Sequence, residues 1–298
     1  MRLLRYGPKG EERPAILDDD GHVRDLSQVI RDIDPEALPA NNLAKLRGLR
    51  IAGLPLVPDN LRIGPPISRV GKIVLIGLNY RDHAAESGLP VPKRPIVFLK
   101  ATTAISGPFD PVVMPREART VDWEVELGIV IGRTARYVPE AEAMSCVAGY
   151  CLMNDVSERG FSEDNGGNWT KGKSCDTFGP MGPWLVTSDS VPDPQNLGIW
   201  LEVNGRRFQN SNTSNLVFGV AALIAYVSKF MTLCPGDVIS SGTPGGVGLG
   251  QKPPVFLKPG DVMRLGIDGL GEQRLEVVPF SLERLGGLPA RHSREQMA

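Results

Sequence analysis

Three carboxylates alternate with apolar residues along Asp122-Trp123-Glu124-Val125-Glu126-Leu127, and the run leads directly into Gly128-Ile129-Val130-Ile131. Side chains alternate faces along a strand. The pattern therefore predicts Asp122, Glu124 and Glu126 on one face, with Trp123, Val125 and Leu127 packed on the other. Glu124 and Glu126 then root roughly 6.6 Å apart. Two carboxylates about 5 Å apart at an effective dielectric near 20 repel by about 3 kcal/mol. A metal ion, a bound proton or full solvation must offset that, and the apolar run beside them argues against solvation. Asp155 ends a second apolar run, Val147 to Met153, at the mouth of an expected buried strand. Its other reading is a turn residue or helix N-cap. Three oxygen ligands without sulfur or histidine suit Mg2+, or Mn2+, rather than zinc.

Of the three histidines, His22 lies in a charged turn and His292 in the C-terminal tail, which leaves His83 near the core. Glu86, three residues on, shares one face of a short helix with it. A carboxylate that orients an imidazole holds a neutral general base in one tautomer, although H-x-x-E spacing also arises incidentally. Lys100 ends an apolar strand, and Lys173 sits in the polar stretch Thr170 to Ser174. Each could hold a substrate carboxylate, polarise a carbonyl, form a Schiff base or be a surface charge. The glycine-rich run Ser241 to Gly250 lacks both Gly-Lys-Ser/Thr and the G-x-G-x-x-G spacing, so it is no phosphate loop. Its backbone N–H groups are expected to form a nest for a small carboxylate, with Thr243 as an added donor.

The elements that must position these residues are short strands. With 34 glycines and 26 prolines in 298 residues, the chain reads as mainly β with some helix, without the strand–helix alternation of a doubly wound fold. Residues 1–68 are expected to form a small N-terminal domain, 69–280 the catalytic domain and 281–298 a peripheral tail. Buried strands are expected at Ile73 to Gly77 and Ile96 to Leu99, and a short helix from Arg81 to Ser87 closed by Gly88. Asn204-Gly205 predicts a type I′ hairpin, and Val217 to Phe230 a mostly buried helix. A net charge of -1 provides no basic field for nucleic acid or an anionic membrane. The N-terminus carries no secretory apolar region, and the longest apolar stretch, Leu216 to Val227, is too short to span a bilayer. Four cysteines without C-x-x-C spacing read as reduced thiols of a cytoplasmic protein.

Six segments in order carry a family resemblance: Gly77-Leu78-Asn79-Tyr80-Arg81-Asp82-His83-Ala84-Ala85-Glu86, Phe98-Leu99-Lys100, Asp122 to Leu127, Asn154-Asp155-Val156-Ser157-Glu158-Arg159, Lys171 to Asp176, and Ser241-Gly242-Thr243-Pro244. From residue 1 to about 280 the chain resembles the fumarylacetoacetate hydrolase superfamily. The resemblance implies a mixed β-roll or β-sandwich with a small N-terminal domain, commonly a homodimer or higher homo-oligomer. It implies that Glu124, Glu126 and Asp155 bind Mg2+, that His83 with Glu86 activates water, and that Lys173 acts on the substrate. Lys100, Arg159 and Thr243 are expected to bind substrate. The opening Leu3 to Gly7 and the segment Trp169 to Trp184 resemble the branch that cleaves 2,4-diketo-3-deoxy sugar acids, such as the rhamnonate and fuconate derivatives, to pyruvate and a hydroxy acid. Ser162 departs from the longer Gln common in related sequences, which bears on pocket size and polarity. The competing readings are a metal-dependent decarboxylase or tautomerase of oxaloacetate-like acids, a Schiff-base pyruvate lyase, and a keto-acid-binding protein with a dead site.

Overall fold

Two sheets position the candidate residues, and a computed structural model describes them over residues 1–163 and 167–285. The larger runs, in spatial order, Val23–Asp25, Arg13–Leu17, Arg2–Tyr6, Leu185–Thr187, Val147–Asn154, Val125–Ile131, Val238–Ser240, Ile73–Gly77 and Ile96–Lys100. Its pairs are antiparallel except that Val238–Ser240 runs parallel to Ile73–Gly77. The second sheet joins Arg206–Asn212, Gly198–Val203, Val262–Ile267, Gly271–Val278 and Val112–Val113. The fold is mainly β with minor helix, as the composition implied.

The strand Val125–Ile131 lies near the centre of the larger sheet and is buried at every position. Val125, Leu127, Ile129 and Ile131 pack with Leu201, Leu265 and Leu275 of the second sheet. Val130 packs instead with Leu26, Ile33, Leu38 and Leu46 from the leading segment. Burial on both faces explains why the stretch reads as a continuous apolar run after Glu126. The leading segment adds its strands to the same sheet, with Arg2 opposite Val186, and its apolar side covers that sheet's second face. Residues 286–298 of the expected tail lie outside the described residues.

Local chemistry sets the connections. Asn204 (φ 51°) and Gly205 (φ 79°) form the expected hairpin turn. The helix Arg81–Ser87 ends at Gly88 in the left-handed region (φ 65°), where glycine has no Cβ to clash. The apolar helix is shorter than expected, Val220–Val227, because the chain is still extended at Gly219. The strand Ile96–Lys100 corrects an expectation. It is a sheet edge with Ile96 38% and Leu99 40% exposed, while its lysine is the buried end. No helix among the described residues is long and apolar enough to cross a membrane.

Candidate active site

The acidic run is not one continuous strand. Val121–Asp122 pairs with Ser157–Glu158, the ladder breaks at Trp123 and Glu124, and the long strand begins at Val125. Asp122 therefore does not share a face with the two glutamates. It accepts N–H groups from Gly248 (2.6 Å) and Leu249 (3.0 Å) and grips the guanidinium of Arg159 at 2.7 and 2.9 Å. Glu124 stays beside the neighbouring strand through its carbonyl, which accepts the N–H of Asp155 at 2.8 Å, and its N–H, which meets Asn154 Oδ1 at 3.0 Å. One carboxylate oxygen from each of Glu124, Glu126 and Asp155 lies within 4.8 Å of the others. All three side chains are buried, so the fully solvated reading is excluded.

Charge balance decides what this cluster can hold. Lys173 bridges Glu124 and Asp155, the latter at 2.6 Å; Arg159 reaches Glu124 Oε1 at 2.6 Å; and Lys100 lies 2.9 Å from Asp155 Oδ1. Burial pushes the Glu124 carboxyl up, but Lys173 and Arg159 outweigh it and hold the group at about 2. Among the described residues Glu126 has no such ion-pair partner, and its hydrogen-bond donors there are neutral: Ser240 Oγ at 2.5 Å and the Gly242 N–H at 2.9 Å. Burial first, then the charges on Asp155 and Glu124, raise its carboxyl well above the ordinary range. Asp155 Oδ1 is buried and receives no hydrogen, because the Lys100 ammonium donates to the carbonyls of Val156 (3.2 Å), Phe178 (2.7 Å) and Lys173. A glutamate without a cation and an aspartate oxygen without a hydrogen, both facing a third carboxylate, fit a hard divalent cation.

The imidazole is held as the spacing implied. His83 Nδ1 lies 3.1 Å from Glu86 Oε2, and the Gly246 N–H donates to Glu86 Oε1 at 2.9 Å. With Nδ1 donating to Glu86, the other ring nitrogen is the one left to accept a proton. The strand–helix connection that delivers His83 is fixed by Asn79. This fully buried residue donates to the carbonyls of Ser241 (2.7 Å) and Phe218 (3.1 Å) and accepts the Phe218 N–H. Leu78 beside it sits at φ 50°, an uncommon conformation for a residue with a Cβ.

Four expectations need correction. The glycine-rich segment is a nest, but its occupants are this chain's own carboxylates: Gly242 donates to Glu126, Gly245 to Asp82, Gly246 to Glu86, and Gly248 with Leu249 to Asp122. Successive N–H groups need acceptors, and the acidic residues converging here supply them. Lys100 does not face substrate. Its side chain is fully buried and all of its donors are committed to carbonyls, so it braces Asp155 from behind. Thr243 lines the cavity, but its hydroxyl donates to the Val125 carbonyl (2.9 Å) and accepts from Gln209 (2.8 Å), which removes it as a free donor. Lys173 ends a short helix, Trp169–Lys173, rather than lying in a loop. Its neighbours Asp155 and Glu124 outweigh burial and keep it protonated, unlike a Schiff-base amine.

A cavity of about 620 Å3 joins these groups. Glu124, Glu126, Asp155, Arg159, Lys173, His83 and Glu86 all line it. Ser162 lines it too, and its Oγ lies where a Cβ on Gly172 would fall (1.9 Å), so the helices Arg159–Glu163 and Trp169–Lys173 meet through two small residues. Sequence reading missed Asp122 as an anchor, Asn79 as a staple and Gln209 as the brace of Thr243. The only local signal was a run of glycine N–H groups that had to find acceptors.

Comparison with known proteins gives the relationship. The family model described as fumarylacetoacetate (FAA) hydrolase C-terminal matches residues 72–278. A Burkholderia ambifaria protein, provisionally named a hydrolase, is 59% identical over 274 residues, which is 92% of this chain and 97% of that protein. The structure of maleylpyruvate hydrolase from Sphingobium sp. SYK-6 with manganese(II) and pyruvate is 33% identical with a TM-score of 0.78, covering 94% of this chain and 100% of the other. That of 5-carboxymethyl-2-hydroxymuconate delta-isomerase from Mycobacterium smegmatis is 33% identical with a TM-score of 0.73 and the same coverage. The chain belongs to the fumarylacetoacetate hydrolase family.

Proposed function

We propose that this protein is a metal-dependent hydrolase that cleaves the C3–C4 bond of a 2,4-diketo acid, with 2,4-diketo-3-deoxy-L-rhamnonate or a similar sugar acid as the substrate, giving pyruvate and a hydroxy acid. The observation that carries the reading is one cavity lined by the three clustered carboxylates, Lys173 and the His83–Glu86 pair. Glu124, Glu126 and Asp155 would hold Mg2+ or Mn2+, which when bound supplies Lewis-acid polarisation of the keto acid and counter-charge for an enolate. His83 takes a proton from water, and Glu86 stabilises the imidazolium that forms. The hydroxide adds to the C4 carbonyl, and the C3–C4 bond breaks with its electron pair left on C3. Lys173 stabilises the resulting pyruvate enolate, and the proton taken from water finishes on C3. One water is consumed, and its oxygen ends in the carboxylate of the hydroxy acid.

Tautomerases and decarboxylases of oxaloacetate-like acids would use the same carboxylates and lysine. The His83–Glu86 pair would activate water in hydrolysis and would move a proton in tautomerisation, so the products decide between the two. Turnover in 18O-labelled water tests the distinction. Label in the hydroxy-acid carboxylate is expected, whereas carbon dioxide release or isomerisation without cleavage would reject hydrolysis. The same reading places the protein in the cytoplasm as a homo-oligomer, a dimer or larger. Its four unpaired cysteines support a reducing compartment, and light scattering tests the assembly.

A further inference from the structure

The cavity is chemically divided. Its charged groups are the carboxylate cluster with Lys173 and Arg159, the His83–Glu86 pair, and Glu163 and Lys252 at other points of the lining. Much of the remaining wall is formed by Leu78, Leu89, Ile96, Phe98, Trp169 and Leu249. Four of these are large apolar side chains left open to solvent: Leu89 is 56% exposed, Ile96 38%, Trp169 45% and Leu249 45%. They come from four separate segments: the turn after the His83 helix, the edge strand, the Lys173 helix and the glycine-rich run. A single exposed leucine is ordinary, but a convergence of apolar side chains on a cavity that also holds the chemical groups marks a binding surface. The wall is also braced. Trp169 stands edge-on to Phe98, with ring centres 5.0 Å apart and an 85° interplanar angle, and any Cβ on Gly77 would lie 2.5 Å from its ring.

We infer that this apolar wall is the subsite for the acyl end of the substrate, and that it selects diketo acids ending in a methyl, alkyl or aryl group over those ending in a hydroxyl or a second carboxylate. The inference rests on the hydrolase reading and narrows its substrate class. The keto-acid end occupies the charged region, so the acyl part extends along the apolar wall, which covers an alkyl or aryl group but offers a hydroxyl lying on it no polar atom of its own. Lys252, Gln251 and Ser87 also line the cavity and would favour a second carboxylate or a hydroxyl, so both polar-ended substrates belong in the test.

The experiment compares kcat/KM for pyruvate release from acetylpyruvate, 2,4-diketononanoate, its 9-hydroxy derivative and 2,4-diketononanedioate, with Mg2+ present. The expected result is a preference of roughly 10-fold or more for 2,4-diketononanoate over the 9-hydroxy compound, with the dioate no better than the latter. Leu249→Asn should collapse that ratio toward unity, because the exposed side chain changes while its N–H to Asp122 remains. Leu282→Asn, an exposed substitution outside the cavity wall, should leave the ratio intact. Equal rates for the matched pair, or preference for the dioate, would overturn the inference while acetylpyruvate cleavage kept the hydrolase reading. No pyruvate from any of the four while 2,4-diketo-3-deoxy-L-rhamnonate is cleaved would overturn the inference alone, and no pyruvate from that acid either would overturn both.

Discussion

Gly250 lies against Glu86 so closely that a Cβ at position 250 would stand 2.4 Å from the Glu86 carboxyl carbon. Glu86 is the far end of a flexible side chain, so Gly250→Ala should cost little stability and act by pushing the carboxylate away from His83. A displacement of about 1 Å at a catalytic group lowers rate by about 100-fold. The variant is expected to keep its melting temperature within a few degrees while kcat falls by roughly that factor. A large loss of stability at unchanged kcat would show that Gly250 serves packing alone.

His83→Ala removes the proposed base and is expected to lower kcat by about 100-fold to 10,000-fold, with a smaller change in KM. Calorimetric metal affinity should be retained, since His83 is not among the clustered ligands. Steady-state kinetics beside a titration of the metal-free protein separates the two effects. Wild-type turnover in this variant would end the role assigned to the imidazole.

Asp122 joins the glycine-rich run to Arg159, and Arg159 in turn contacts Glu124. Truncation to alanine leaves two loop N–H groups and a mostly buried guanidinium without their shared acceptor. Breaking a buried pair costs about 3–5 kcal/mol, so Asp122→Ala should unfold at distinctly lower urea concentration. Its metal affinity should fall as well, because Glu124 loses the brace on Arg159. A unchanged urea midpoint would contradict this coupling.

Glu126 carries the pH dependence of metal uptake. Burial, Asp155 and Glu124 raise its carboxyl well above the ordinary value of 4.5, so the metal-free fold favours the protonated acid. The sign follows: stability of the metal-free protein is higher while Glu126 and its unfolded counterpart are both protonated, and declines as pH rises through the folded value. Cation binding requires the carboxylate and must release that proton. Metal affinity should therefore increase with pH, and calorimetry in buffers of different ionisation enthalpy should register proton release that Glu126→Gln abolishes. Release that persists in the variant would assign the proton elsewhere.

Local patterns in the sequence made much of this site legible. The i,i+3 spacing of His83 and Glu86 needs only one helical turn to bring them together, and Glu124 and Glu126 are two residues apart in sequence. Asp155 was legible because it ends an apolar run whose strand lies beside the long acidic one. Long-range closure was not legible. The three carbonyls that seal Lys100 come from Val156, Lys173 and Phe178, a convergence that no local spacing encodes. The break at Trp123 was hidden because alternation continues through it, yet that break is what sends Asp122 toward Gly248 rather than toward the cluster. The edge position of Ile96–Lys100 was hidden for a related reason: an apolar strand beside a cavity has the same composition as a buried one.

The most direct test of the central claim is pyruvate release from 2,4-diketo-3-deoxy-L-rhamnonate, measured with Mg2+, after excess EDTA, and after Mg2+ is restored. Release that stops with chelator and returns with the ion is the expected result, with Glu124→Gln inactive throughout. Release that continues in EDTA, with borohydride trapping pyruvate on a lysine, would contradict the three-carboxylate mechanism.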